Sequence, residues 1–315
     1  METESHKNMK VVIVTQGISR IVMPVLNSDF NTVGIIESAP RPKNSKVYSL
    51  YRSVKGYIGN LARLSKKRGI PYYYLQGKVD GRVIDWVKQQ QPDLMVVFSM
   101  SQLLPESLFN LPKYGTINLH PSYLPEYRGP LPDYWQYRNM EMNPGVTVHY
   151  IDKGEDTGSI LEQARVPIEL GISSPDWLDR VVGDVGVKLL IKAMTGIVNG
   201  TATAKAQPKE SPTPRARKLD KAEHHEQIDW KNWDVDRIWH VLRGTQIWLN
   251  AIEQPTGLKK GQRWNIGKFI EADTTSYEVS RVTKINGDDV LICRNGLIYL
   301  SVDFSVKSFL KSWIS

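Results

Sequence analysis

Residues 94–120 read "LMVVFSMSQLLPESLFNLPKYGTINLH". "LMVVFSM" is a continuous apolar run, the pattern of a strand buried on both faces. "PESLFNLP" reads as a short helical connection and "GTINLH" as the next strand. Upstream the same rhythm repeats. "KVVIVTQ" (10–16) and "TVGIIES" (32–38) are buried strands, with "ISRIVMPVLNS" a helix between them. "YSLYRSVKGYIGNLARLSKKRGI" (48–70) spaces Leu50, Val54, Tyr57, Ile58 and Leu61 as a helix does, with Gly69 as its stop. "PYYYLQ" follows as a strand and "GRVIDWVKQQQP" as a helix ended by Pro92. Strands alternating with helices predict an α/β fold, a doubly wound, mainly parallel sheet.

Downstream the pattern changes. "GVTVHYID" and "LEQARVPIE" read as strands joined by a turn at "KGEDTG", and residues 174–200 as one long helix opened by Ser174 and Pro175. "TATAKAQPKESPTPRARKLDKAE" is rich in Pro, Lys and Arg and poor in large apolar groups, the composition of an extended connector. After it come a helix, "DVDRIWHVLRGT", and short strands with Asn-Gly turns at 286–287 and 295–296. The expected division is a catalytic domain over 1–205, a connector over 206–225, and a β-barrel-like or sandwich domain over 226–315.

The chain has 315 residues, 41% hydrophobic and 23% charged, enough for an ample core. Its single cysteine, Cys293, has no partner for an internal disulfide or a CxxC zinc site, which fits a reducing, cytoplasmic setting. No metal site is expected. The first residues, "METESHKNMK", lack the apolar core of a secretory signal, and no apolar run is long enough to span a membrane. A net charge of +8 favours polyanionic partners without selecting one.

The chemistry gathers at the end of "GTINLH". Alternation puts Thr116, Asn118 and His120 on one strand face and Ile117 and Leu119 on the other. Open α/β sheets bind ligands beyond the carboxyl ends of their strands, and Pro121 stops this strand there. Further on, "DKGEDTG" (152–158) brackets Asp156 with two glycines. An Asn amide can donate to a developing oxyanion, a His can take a proton near neutrality, and an Asp can orient that His. This set suits an amine attacking an activated carbonyl. No GxSxG elbow supplies a serine nucleophile, no second "DTG" makes an aspartic-protease pair, and "QGISR" is not GxGxxG. His224 and His225 have no ligand-spaced partners.

Taken together, "INLHPSYLPEYRGPLP" and "GVTVHYIDKGEDTG", at this separation, resemble the folate-dependent formyltransferase family. Its members include methionyl-tRNA formyltransferases, glycinamide ribonucleotide transformylases and sugar N-formyltransferases. The resemblance implies Asn118, His120 and Asp156 as the catalytic set and N10-formyltetrahydrofolate as the donor. It implies a pterin held by Ser99, Met100, Ser101 and Leu104 on one side and by Asp152, Lys153, Gly154 and Glu155 on the other.

For the acceptor, several motifs depart from the tRNA enzymes. "HPS" stands where they usually read His-Gly-Ser, "RGPLPDYW" differs from "RGAAP", "TQGISR" from "GTPDFA", and "RGTQIWLNA" from "RAFNPWPGA". These departures resemble the sugar enzymes of polysaccharide and lipopolysaccharide biosynthesis. The expected acceptor is therefore a nucleotide-linked amino sugar contacted by Ser122, Tyr123, Arg128 and Tyr134, with Arg128 on a phosphate oxygen. A methionyl-tRNA acceptor is the alternative, favoured by the basic connector "PKESPTPRARKLDK". An exposed barrel or edge strand offers a surface for a homodimer.

Overall fold

The computed structural model describes residues 8–38, 59–100, 102–245, 249–306 and 308–309. Helix α1 spans Val22–Leu26. Residues 48–58 of the helix expected over 48–70, and the Ser101 position, lie outside the described residues; the described part of that helix, α2, spans Asn60–Arg68 and stops at Gly69 in the left-handed region.

The described residues form two compact units. One contains the residues up to Gly129 together with Pro144–Val166 and Leu178–Arg215; the other contains Pro130–Asn143, Pro167–Trp177 and the residues from Ala216 on. This division differs from a simple cut near residue 205. The segment expected to be a connector is shared between the units, its first half in one and its second half in the other.

The first unit is built on a seven-stranded sheet. Its strands are β1 (Lys10–Thr15), β2 (Asn31–Ser38), β3 (Tyr72–Leu75), β4 (Leu94–Phe98), β5 (Thr116–His120), β6 (Gly145–Tyr150) and β7 (Ile160–Arg165), in the order β3-β2-β1-β4-β5-β6-β7. The first five run parallel, and β6 and β7 turn antiparallel. β1 and β4 are buried nearly throughout, as their unbroken apolar sequences require. On one face Val12, Val14, Met95 and Val97 pack with Val83 and Val87 of helix α3 (Gly81–Gln90) and with Leu108 and Phe109 of the short helix α4 (Glu106–Phe109).

The long helix expected over 174–200 is present with a change of pitch. Helical residues Ser174–Leu178 lead into a π-helical stretch, Asp179–Gly186, and then into an α-helix, Val187–Val198. Gly186 explains the close approach there. A Cβ on it would stand 3.0 Å from Val146 Cγ2 and 3.2 Å from Leu119 Cδ2, so the missing side chain lets the helix lie close on β5 and β6 without displacing those methyls. This contact covers the face of β5 that carries Leu119 and leaves the opposite face for Asn118 and His120.

Among the described residues, the second unit holds a four-stranded antiparallel sheet whose outer strands do not pair with each other. Its strands are β8 (Asn265–Glu271), β9 (Val282–Ile285), β10 (Asp288–Cys293) and β11 (Gly296–Ser301), in the order β8-β11-β10-β9. Apolar side chains of the helix Val235–Thr245 (Ile238, Val241 and Leu242) share a core with Leu291, Ile298 and Leu300 of this sheet. The "RGPLPDYW" stretch is not all loop: Pro132 opens a helix, Pro132–Arg138, where its missing N–H is not needed. Tyr134 and Tyr137 of that helix are fully buried. His240 stacks on Tyr137 at 4.8 Å and accepts the Gly171 N–H at 2.9 Å. Burial pushes the His240 pKa down to about 4.

Candidate active site

The antiparallel pairing of β5 with β6 sets Asn118 opposite His149 and His120 opposite Thr147. All four therefore project from the same face of the sheet. His149 was not singled out in the sequence, although it sits at an alternating position of "GVTVHY" in register with the Asn-x-His pair. The signal lay in the pairing of two strands, which one strand's alternation does not reveal.

His149 Nδ1 lies 2.7 Å from the Tyr150 carbonyl oxygen, an atom that can only accept, so Nδ1 carries the proton. Nε2 is then a lone pair, and the Asn118 amide donates to it at 3.2 Å. Burial pushes the His149 pKa down to about 4, against an opposing pull from Asp156, so this tautomer persists at neutral pH. The arrangement fixes the Asn118 amide plane. It engages one Nδ2 hydrogen of the two that an amide nitrogen carries.

His120 is held at one ring nitrogen and faces a carboxylate at the other. Its Nε2 donates to the Tyr127 carbonyl at 3.1 Å, and its Nδ1 stands 3.6 Å from Asp156 Oδ2. A proton taken up at Nδ1 is met there by the carboxylate. Asp156 also lies 3.6 Å from His149 Nε2 and accepts the Gly129 N–H at 2.9 Å. Burial draws its pKa upward, but His120, His149, the Gly129 N–H and Arg128 outweigh that pull and hold the carboxyl below its ordinary value. Asp156 is thus ionised, with one carboxylate oxygen turned toward His120 Nδ1.

The three loops that frame this set each contain a side-chain-bearing residue in the left-handed region: Ser99 at φ 61°, Tyr127 at φ 54° and Asp156 at φ 55°. Such conformations persist where surrounding bonds over-determine them. Gly158 is needed for a different reason, because a Cβ on it would strike the Tyr150 carbonyl.

Among the described residues, those expected to hold a pterin flank one another only through their neighbours Ile151 and Glu106. Met100, Leu104 and Ile151 pack against one apolar cluster, and Lys153 pairs with Glu106 at 3.1 Å. Ser99 is exposed at the exit of β4. Asp152 closes its own turn, accepting from Gly154 N at 3.0 Å and Thr157 Oγ at 2.6 Å, and Glu155 pairs with Arg215 at 2.8 Å.

The expected acceptor residues are placed otherwise. Ser122 is fully buried, and its hydroxyl donates to the Glu126 carbonyl at 2.7 Å. Arg128 is only 8% exposed. Its guanidinium is taken up by Gln207 Oε1 at 2.8 Å and by the carbonyls of Pro208 and Lys209 at 2.8 and 3.1 Å. Tyr134 is in the core of the second unit, its hydroxyl donating to Gln227 at 2.8 Å. Tyr123 lies under the Arg165 guanidinium at 3.9 Å. Arg128 and Tyr134 are therefore structural, and Ser122 orders its own loop.

Among the described residues no cluster of three or more His, Cys, Asp or Glu is arranged to hold a metal ion, and no helix is long and apolar enough to cross a membrane. Cys293 is buried, and burial pushes its thiol up to about 12, so it is no nucleophile.

Comparison with known proteins agrees with this chemistry. The sequence model of the formyl transferase family matches residues 35–194. Methionyl-tRNA formyltransferase of Clostridium beijerinckii is 31% identical over 282 residues, 85% of this chain and 87% of the relative. The enzyme of that name from Clostridium perfringens is 29% identical over 291 residues, 89% of this chain and 90% of the relative. Among solved structures, HypX from Aquifex aeolicus in complex with tetrahydrofolic acid is similar in fold. Its TM-score is 0.59 at 13% identity, over 93% of this chain but only 43% of HypX.

These relatives overturn the expectation of a nucleotide-linked amino sugar acceptor and of a role in lipopolysaccharide biosynthesis. The tRNA enzymes match nearly the whole chain, second unit included, while the motif departures that suggested a sugar enzyme fall partly on residues now seen to be buried and structural. Family, fold and folate chemistry agree: the chain belongs to the folate-dependent formyltransferases, enzymes that take their one-carbon unit from N10-formyltetrahydrofolate.

Proposed function

We propose that the protein transfers the formyl group of N10-formyltetrahydrofolate to the amine of methionyl-tRNA. The observation that carries this reading is the extent of the likeness to methionyl-tRNA formyltransferases, about nine-tenths of both chains for the Clostridium perfringens enzyme. The basic charge of +8 supports a polyanionic acceptor.

In this reading the pterin lies between Ser99–Leu104 and Asp152–Glu155, and the neutral amine attacks the formyl carbon. A C–N bond forms and the carbonyl electrons move to oxygen. Asn118, its amide oriented by His149, donates to that oxyanion. His120 takes the proton leaving the attacking nitrogen, and Asp156 stabilises the resulting imidazolium. Collapse re-forms the carbonyl and breaks the bond to N10, which leaves with a proton as tetrahydrofolate.

The test is direct. Pure protein is incubated with N10-formyltetrahydrofolate and either methionyl-tRNA or uncharged tRNA, and the released amino acid is weighed by mass spectrometry. A gain of one formyl group on methionine from the charged tRNA alone is the expected result. Binding to tRNA should also weaken steeply as salt rises. Unmodified methionine, or a flat salt dependence, overturns the assignment.

A further inference from the structure

Residues 205–215, expected to be part of an extended connector, are bonded along their length to the two loops that hold His120 and Asp156. Lys205 exchanges both backbone hydrogen bonds with Ile160, at 2.8 Å each. Gln207 donates its amide to the carbonyls of Asp156 and Gly158, at 3.0 and 2.7 Å, while its Oε1 accepts from Arg128. Ser211 donates to the Pro125 carbonyl at 2.8 Å, and Thr213 Oγ accepts the Tyr127 N–H at 2.6 Å. Arg215 reaches Glu155.

Two of these bonds bear on the reacting histidine. Tyr127, held at its N–H by Thr213, presents the carbonyl that receives His120 Nε2–H; Asp156, held at its carbonyl by Gln207, presents the carboxylate to His120 Nδ1. Both residues are in the left-handed region, where an L-residue stays only if its neighbours fix it. We infer that Gln207 is a positioning residue for formyl transfer: its amide clamps the Asp156–Gly158 backbone and so sets the carboxylate against His120, with Thr213 doing the same for the opposing carbonyl. Arg128, already engaged by Gln207 and the next two carbonyls, locks the clamp from the other side.

The inference rests on the formyl-transfer reading, and Gln207→Glu tests it. Glutamate keeps an acceptor for Arg128, but it turns an oxygen toward the two carbonyls that the amide now serves. The expected result is a folded protein with a somewhat lowered melting temperature, KM values little changed for both substrates, and a kcat lowered by about 10²-fold, the scale of a misplacement of about an ångström. The Asp156 carboxyl, followed by its 13C shift, should titrate at higher pH than in the wild type as it loses His120, His149, the Gly129 N–H and Arg128. That titration needs no acceptor. It stands even where methionyl-tRNA is not formylated, an outcome that would overturn the acceptor alone. Unchanged kcat and an unchanged Asp156 titration overturn the positioning role, as does a rise in KM at constant kcat. Should Gln207→Glu fail to fold, Thr213→Val is the second variant. It removes the acceptor of the Tyr127 N–H and should lower kcat with KM preserved; a wild-type kcat there counts against the clamp.

Discussion

The Asn118 amide donates to His149 Nε2 at 3.2 Å across the β5–β6 ladder, and this lone pair exists only because Nδ1 of the same ring is protonated toward the Tyr150 carbonyl. A neutral, buried histidine thus orients the group assigned to the oxyanion. His149→Phe keeps the ring volume and removes the acceptor. It should lower kcat by about tenfold or more while leaving KM near its wild-type value, since it loosens a contact made in the transition state. A steady-state comparison at saturating folate checks this, and an unchanged kcat would show that Asn118 orients itself.

Asn118→Ala removes the amide outright. The expected loss is about 10²- to 10³-fold in kcat. His120→Ala and Asp156→Asn should each abolish most turnover with the circular-dichroism spectrum preserved. If any of the three retains near-normal rates, the division of labour is wrong.

Arg128 was expected to touch the acceptor, but its guanidinium is bound within the protein. Arg128→Ala strands the Gln207 oxygen and two carbonyls in a site that is mostly buried. It should therefore lower the melting temperature and kcat together and leave the acceptor's KM nearly unchanged. A selective rise in that KM would return Arg128 to the binding surface.

Acid should weaken both units. His149 in one and His240 in the other are held neutral down to about pH 4 when folded. An unfolded histidine takes a proton near pH 6.5. Between those values the unfolded chain binds more protons, so stability rises with pH and falls on acidification, by up to about 1.4 kcal/mol per pH unit for each histidine. Asp156 has the depressed pKa of a paired carboxylate, so its contribution is complete above the unfolded value and is lost only as pH falls through its lower folded value. Urea midpoints measured from pH 7 to pH 4.5 should decline steadily. His240→Asn should flatten part of that decline, and a flat wild-type profile would contradict the buried neutral state.

Gly158→Ala puts a methyl group against the Tyr150 carbonyl, an atom of β6 that cannot move without disturbing the sheet. The loop must shift instead, and it carries Asp156. Loss of activity larger than the loss of stability is expected, measured on one preparation by turnover and by thermal melting; equal losses would mean that only the fold is affected.

Much of the first unit was legible because its strands are continuous apolar runs. "KVVIVT" and "LMVVF" appear as strands where expected, as does the alternating "TINLH", and Asp156 stands 3.6 Å from His120 Nδ1. His149 and Gln207 were not legible. Their roles come from strand register and from a long-range return of the chain, neither of which leaves a local period. Arg128 and Tyr134 misled for a related reason. Residue type announces what a guanidinium or a phenol can bind, while burial decides whether it faces solvent. The helix Pro132–Arg138 was hidden by prolines that read as loop signals but serve here as a helix start.

The stretches Pro130–Asn143 and Pro167–Trp177 belong to the second unit although the first unit's chain surrounds them on both sides. Tyr134, Tyr137 and Trp177, all fully buried, come from these two inserts. Ending the polypeptide after Arg215 would strip Tyr134 of the core it shares with Val235 and Leu242 and Tyr137 of the His240 ring, and expressing only the residues beyond it would leave both places hollow. No single proteolytic nick can therefore liberate either half intact, and attempts to dissect the molecule must graft both inserts along with the tail.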